Sequence, residues 1–166
     1  LPRKARRMSA PANPLEALPF VQALQESTAL FIGIGTVHAA GFILLAGSAF
    51  FLDLRILGVA KALSVRELSR LLRPWSWAGI ALLVPSGLLL FLAEPATLLT
   101  SKVFQLKMAL LLTAGMNAAG FLSGPWTTAK DWDTGVPSPV AARASAAASI
   151  VLWAAIVACG RMLPYR

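Results

Sequence analysis

The sequence predicts an all-α integral membrane protein: a four-helix transmembrane bundle with short interfacial helices before span 1 and between spans 1 and 2. Three observations predict it. Of 166 residues, 57% are hydrophobic and 13% charged, whereas soluble domains have about half apolar and about a quarter charged residues. Four segments match the roughly 20 apolar residues that cross a hydrocarbon core about 30 Å thick. No alternating period of two runs through them, and backbone polar groups in lipid must be satisfied internally, so helices are expected rather than barrel strands.

Residues 1–27 read as a basic tail and an interfacial helix. Arg3, Lys4, Arg6 and Arg7 supply the charge, and Pro11, Pro14 and Pro19 interrupt the approach to the membrane. Leu15, Leu18, Val21 and Leu24 recur at spacings near three, as in a short helix lying in the interface. A single transmembrane domain then occupies 28–163, with spans at about 28–52, 75–93, 103–122 and 140–163, followed by a tail at 164–166. The first span is longer than the apolar core of a signal peptide and three more follow, so it is expected to be retained.

The first connection, Asp53 to Pro74, contains Ser64-Val65-Arg66-Glu67, a capping box that opens a short helix. Val65, Leu68, Leu71 and Leu72 form its apolar face and Arg66, Arg70 and Arg73 its basic face, so it is expected on the membrane surface. Trp75 and Trp77 follow at the place of an aromatic belt. The short second connection, Glu94 to Lys102, makes spans two and three a tight hairpin. The third, Ser123 to Pro139, reads as an irregular loop with Trp126 and Trp132 as interfacial anchors. Basic residues number eight on one side of the bundle and seven on the other, which leaves orientation open.

Charge and composition exclude several functions. The net charge of +8 lies in short clusters between apolar runs, the placement of a membrane protein, so no nucleic acid partner is expected. One His and one Cys cannot build a zinc cage, an iron-sulfur site, an intrachain disulfide or a bis-histidine haem within one chain. Polar groups in the spans reduce to His38, Asn117 and scattered hydroxyls, too few to place a nucleophile, a base and oxyanion donors. No enzyme and no catalytic residue are expected.

His38 lies near mid-depth of span one, where an ionisable side chain requires a partner or a cavity. Gly35 and Gly41 stand one turn before and after it, leaving a flat surface for a helix backbone or a planar macrocycle. Two readings follow. His38 ligates the metal of a tetrapyrrole, either haem b or a chlorophyll-type pigment, with Asn117 nearby to fix its tautomer. Alternatively, the glycines pack helices and His38 hydrogen-bonds to Asn117, a Ser or a carbonyl. Met108, Met116 and Met162 are the candidate sixth ligands, more often simple packers. Lys102 and Lys107 are expected to snorkel to the interface, and Cys159 to be a small buried hydrophobe. Pro85 is expected to kink span two and free a carbonyl that Ser86 or a neighbouring helix satisfies. Span four, with Ser145 and Ser149 among its alanines, suits close packing within the bundle or on a partner.

Several stretches together resemble a family of uncharacterised four-span bacterial inner-membrane proteins: Gln25-Glu26-Ser27, Val37-His38-Ala39-Ala40-Gly41, Asp53-Leu54-Arg55, Arg73-Pro74-Trp75-Ser76-Trp77, Ser86-Gly87-Leu88 and Phe104-Gln105-Leu106-Lys107-Met108. More distantly, the first-span His, the Gly-containing second span and the basic residue of the third are similar to copper-resistance D type and protoporphyrinogen-oxidase type four-helix proteins, some of which bind haem b. In that resemblance His38 matches the first-span ligand and Lys107 the third-span base, while Asn117 stands where those families place another histidine. The resemblance implies the bacterial inner membrane and a tetrapyrrole-binding subunit supporting a redox complex. The alternatives are a cofactor-free accessory subunit in a larger membrane complex or homo-oligomer and, less favoured, a copper or small-solute transporter.

Overall fold

The computed structural model describes residues 19–163 and is 88% helical, without strands among them. The helices are α1 (Pro19–Glu26), α2 (Thr28–Leu57), α3 (Val65–Ala93), α4 (Pro95–Thr100), α5 (Lys102–Ser123) and α6 (Val140–Met162), with a 3-10 segment at Pro125–Trp132 before α6. Helices α2, α3, α5 and α6 are long and apolar enough to cross a membrane. The chain is therefore a multi-pass membrane protein with the expected four-helix architecture. The basic tail, the start of the expected interfacial helix with Leu15 and Leu18, and the tail at 164–166 lie outside the described residues.

Side chains such as Ile43, Leu112 and Val151 are about two-thirds exposed. In water such a surface would drive association, whereas against acyl chains it is the solvated face. The strongest packing joins α2 to α3, then α5 to α6 and α2 to α6, while α3 and α5 lack an extensive backbone approach and meet at a Phe91–Phe104 stack 5.8 Å between ring centroids. The bundle is consequently open along one side.

Its buried core lies at one end, where Ile56, Val65, Ala129, Trp132, Ala142 and Ala146 cluster, flanked by Leu52, Leu57, Phe121 and Trp126. Polar chemistry ties this end together. The Arg55 side chain, 2% exposed, donates from Nε to Leu63 O at 2.5 Å and from Nη2 to Lys61 O at 3.2 Å and Asp133 O at 2.9 Å. Gly58 closes α2 with φ of 109°, a left-handed conformation glycine adopts without a Cβ penalty. At the opposite end Val21 and Leu24 are fully covered, and Gln25 Nε2 donates to Ala93 O at 2.8 Å, pinning α1 to the last residue of α3.

Four expectations change. The basic segment before Trp75 is not a separate interfacial helix: α3 begins at Val65 and runs through Pro74 and Pro85 to Ala93. At the helix's solvated end the carbonyl that Pro74 frees has water or headgroups as partners, which removes the main reason for a break. α2 continues beyond residue 52 to Leu57 and takes in Asp53. The second connection contains the six-residue helix α4. In the third, Trp132 is 3% exposed with Nε1 donating to Thr128 Oγ1 at 3.2 Å, and Trp126 packs on Phe121, so both anchor the core rather than the lipid interface.

Candidate functional site

The site is built on the α2/α3 crossing. A Cβ on Gly41 would stand 2.8 Å from Leu83 N, and one on Gly79 would stand 2.7 Å from Leu45 N, so each glycine admits the other helix's backbone. This close approach brings His38 against α3. Its Nδ1 lies 3.1 Å from Ser86 Oγ, and a Cβ on Gly87 would come within 2.9 Å of its Cε1. Ser86 is 4% exposed and His38 is half-buried.

The hydrogen-bond directions follow from counting protons. The Ser86 hydroxyl has one, and it is engaged by Leu82 O at 2.5 Å, with Leu83 O further away at 3.3 Å. Ser86 Oγ therefore accepts, and His38 Nδ1–H donates to it. In a neutral imidazole this assignment leaves Nε2 with a free lone pair, and Nε2 has no hydrogen-bond partner among the described residues. A ring oriented through one nitrogen with the other unengaged is the usual state of a metal-ligating histidine.

The predicted residues around His38 divide. Gly41 is filled by α3, so it serves helix packing rather than a macrocycle; Gly35 stays open, with nothing within 4 Å of where a Cβ would stand. Asn117 is not a partner of His38. Its Nδ2 donates to Ser145 O at 3.0 Å, and the Ser145 hydroxyl donates to its Oδ1 at 3.0 Å, joining α5 to α6. Met108, Met116 and Met162 are 41%, 59% and 53% exposed, on the outside of the bundle. Lys107 is partly buried against α6, where a Cβ on Gly160, two residues before the last residue of that helix, would lie 3.8 Å from its Nζ.

The hydrogen bond to a Ser that the second reading names is the one seen here, with Ser86 as the partner, whereas Gly87 and Asp53 were missed. Gly87 and Ser86 were legible as a small pair beside Pro85, but their register against His38 depends on the α2/α3 crossing. Asp53 is 8% exposed, its Oδ2 has no hydrogen-bond partner, and the Ser149 hydroxyl of α6 lies beside its carboxyl. Ser145 on Asn117 and Ser149 at Asp53 turn one side of the small-residue stretch of α6 into the bundle, while Ala144, Ala147 and Ala148 are exposed. Among the described residues no group of three or more His, Cys, Asp and Glu could hold a metal. Comparison with protein-family models, curated proteins and solved structures finds no match.

Proposed function

We propose that this chain is a bacterial inner-membrane subunit that binds one tetrapyrrole through His38 Nε2 and supports a redox or electron-transfer complex. The observation that carries the reading is the contact of His38 Nδ1 with Ser86 Oγ, whose own proton goes to Leu82 O; Nδ1–H then donates and the Nε2 lone pair is left free. The packing narrows the direction of approach. The Gly41 side is closed by α3 and the Gly35 side is open, so the ring plane is met from the N-terminal side of His38. When bound, haem b supplies a one-electron centre and a chlorophyll-type pigment an excitation centre; the chain's residues orient the ligating nitrogen and exclude water.

The test is a visible spectrum of protein purified in mild detergent with its partners retained, recorded with and without reductant. A Soret-type band is expected, and His38→Ala should abolish it with the helical fold intact. Ser86→Ala should keep the band but shift it, because ring orientation and basicity depend on the Nδ1 hydrogen bond. Absence of a band in wild type overturns the reading.

A second reading, a cofactor-free accessory subunit, is favoured by the open side between α3 and α5. There an incoming helix would complete the bundle. Photocrosslinking from Met108 and Leu122, which share the α5 face of Phe104 and are 41% and 57% exposed, should then capture another polypeptide in native membranes; labelling of lipid alone overturns it.

A further inference from the structure

The outer face of α3 near Pro74 carries a groove of about 660 Å3, lined by Glu67, Arg70, Leu71, Pro74, Trp75 and Ala78. Its polar lining is confined to the end nearest the start of the helix, and its apolar lining continues toward the span. Leu71, Trp75 and Trp77 are 65%, 54% and 64% exposed. Beside the groove Arg66, Arg70 and Arg73 follow at spacings of four and three, on one helical face with Trp77 four residues further on.

We propose that this face is a binding site for a single phospholipid of net negative charge, with its phosphate on Arg70 and Arg73 and one acyl chain along Pro74, Trp75 and Ala78. The continuity of α3 matters here. Because the helix does not break at Pro74, the guanidiniums stand at a fixed height above the tryptophans, about 1.5 Å per residue. Interfacial tryptophans favour headgroup depth, and with Trp75 and Trp77 there the arginines stand among the phosphates. Charge selects the lipid. Glu67 pairs with Arg70, the only ion pair among the described residues, and Asp133 caps the helix beside Arg66, so two acids stand against three arginines and the surplus positive charge lies at Arg73. An anionic headgroup neutralises that surplus and a zwitterionic one does not. The Pro74 ring and the small Ala78 side chain leave the dent that a chain fills. Ser86 lies more than two turns beyond Ala78 along α3, so the site does not depend on the reading of His38.

The experiment reconstitutes the full chain in phosphatidylcholine vesicles and measures tryptophan quenching by two bromo-acyl lipids, phosphatidylglycerol and phosphatidylcholine, in competition. The site requires preferential quenching by the brominated phosphatidylglycerol. Arg70→Gln with Arg73→Gln should reduce the preference roughly fivefold per arginine. Trp75→Phe should remove much of the selective quenching while leaving the arginines in place. Equal quenching by the two lipids overturns the proposal. So does an unchanged preference in the double variant, or displacement of the lipid by inorganic phosphate at matched ionic strength, which would mark a site for a soluble anion. If the double variant does not reconstitute, Arg73→Lys, which keeps charge but loses the forked donor, should retain most of the preference, and its complete loss would overturn a charge-based site.

Discussion

His38 shows how one hydroxyl fixes the chemistry of a ring. Ser86 is committed to Leu82 O, so the imidazole has one available tautomer and one free nitrogen. The sequence shows His38 and its flanking glycines, and an imidazole in an apolar span requires a partner. It does not show which glycine faces what, because that depends on helix rotation at a crossing between residues 48 positions apart. The difference is measurable by substitution. Gly41→Ala should destabilise the bundle by about 1–3 kcal/mol, since its Cβ would meet backbone of α3 that has nowhere to move. Gly35→Ala should be neutral or stabilising by roughly 0.5–1 kcal/mol, as a glycine replaced within a helix with open space beside it. Detergent-denaturation midpoints of the two variants provide the comparison.

Among the elements, α3 departs most from its sequence reading. Ser64 does accept from Glu67 N at 3.0 Å, as the capping box predicts. The reciprocal half is replaced: Glu67 turns to Arg70, and Asp133, distant in sequence, takes the cap, accepting from Arg66 N at 2.9 Å and from the Ser64 hydroxyl at 2.9 and 3.0 Å. Local grammar cannot show a cap contributed from 67 residues away. Partial removal of water raises the Asp133 carboxyl, but the Arg66 amide, the Ser64 hydroxyl and the charges of Arg66 and Arg55 outweigh it and hold the carboxyl below the usual carboxylate range. Its folded pKa is therefore depressed. The stability it contributes is complete above the ordinary carboxylate value of about 3.9 and is lost as pH falls through the lower folded value. Asp133→Ala should cost about 1 kcal/mol at neutral pH, as helix caps do. Denaturation midpoints of the variant and wild type should converge when both are measured in strong acid.

At the scale of the whole molecule, the four spans were legible because lipid demands about 20 apolar residues in each. Their ends were less so, since a helix continues beyond the hydrocarbon wherever capping and packing allow. Asp53 illustrates this: it reads as the first residue of a loop, yet lies within α2 under the end cluster. That cluster is organised around Arg55, whose three donated hydrogen bonds join the first connection to the third. Arg55→Met keeps the apolar stem but strands the carbonyls of Lys61, Leu63 and Asp133, at about 1–3 kcal/mol for each that stays buried. Limited proteolysis should then cut between residues 58 and 64 and between 133 and 138 faster than in wild type, while the far end around Gln25 and Ala93 remains protected.

The trans cap on α3 also sets an order of assembly. When α2 and α3 have left the ribosome and paired through Gly41 and Gly79, the amide of Arg66 still lacks the carboxylate that completes it, and that residue emerges only after α5 has been synthesised. The first hairpin can thus enter the membrane early, but its loop end becomes fixed only after the third span has crossed. Nascent chains halted before Asp133 should carry a protease-sensitive first connection, and chains halted beyond α6 should not.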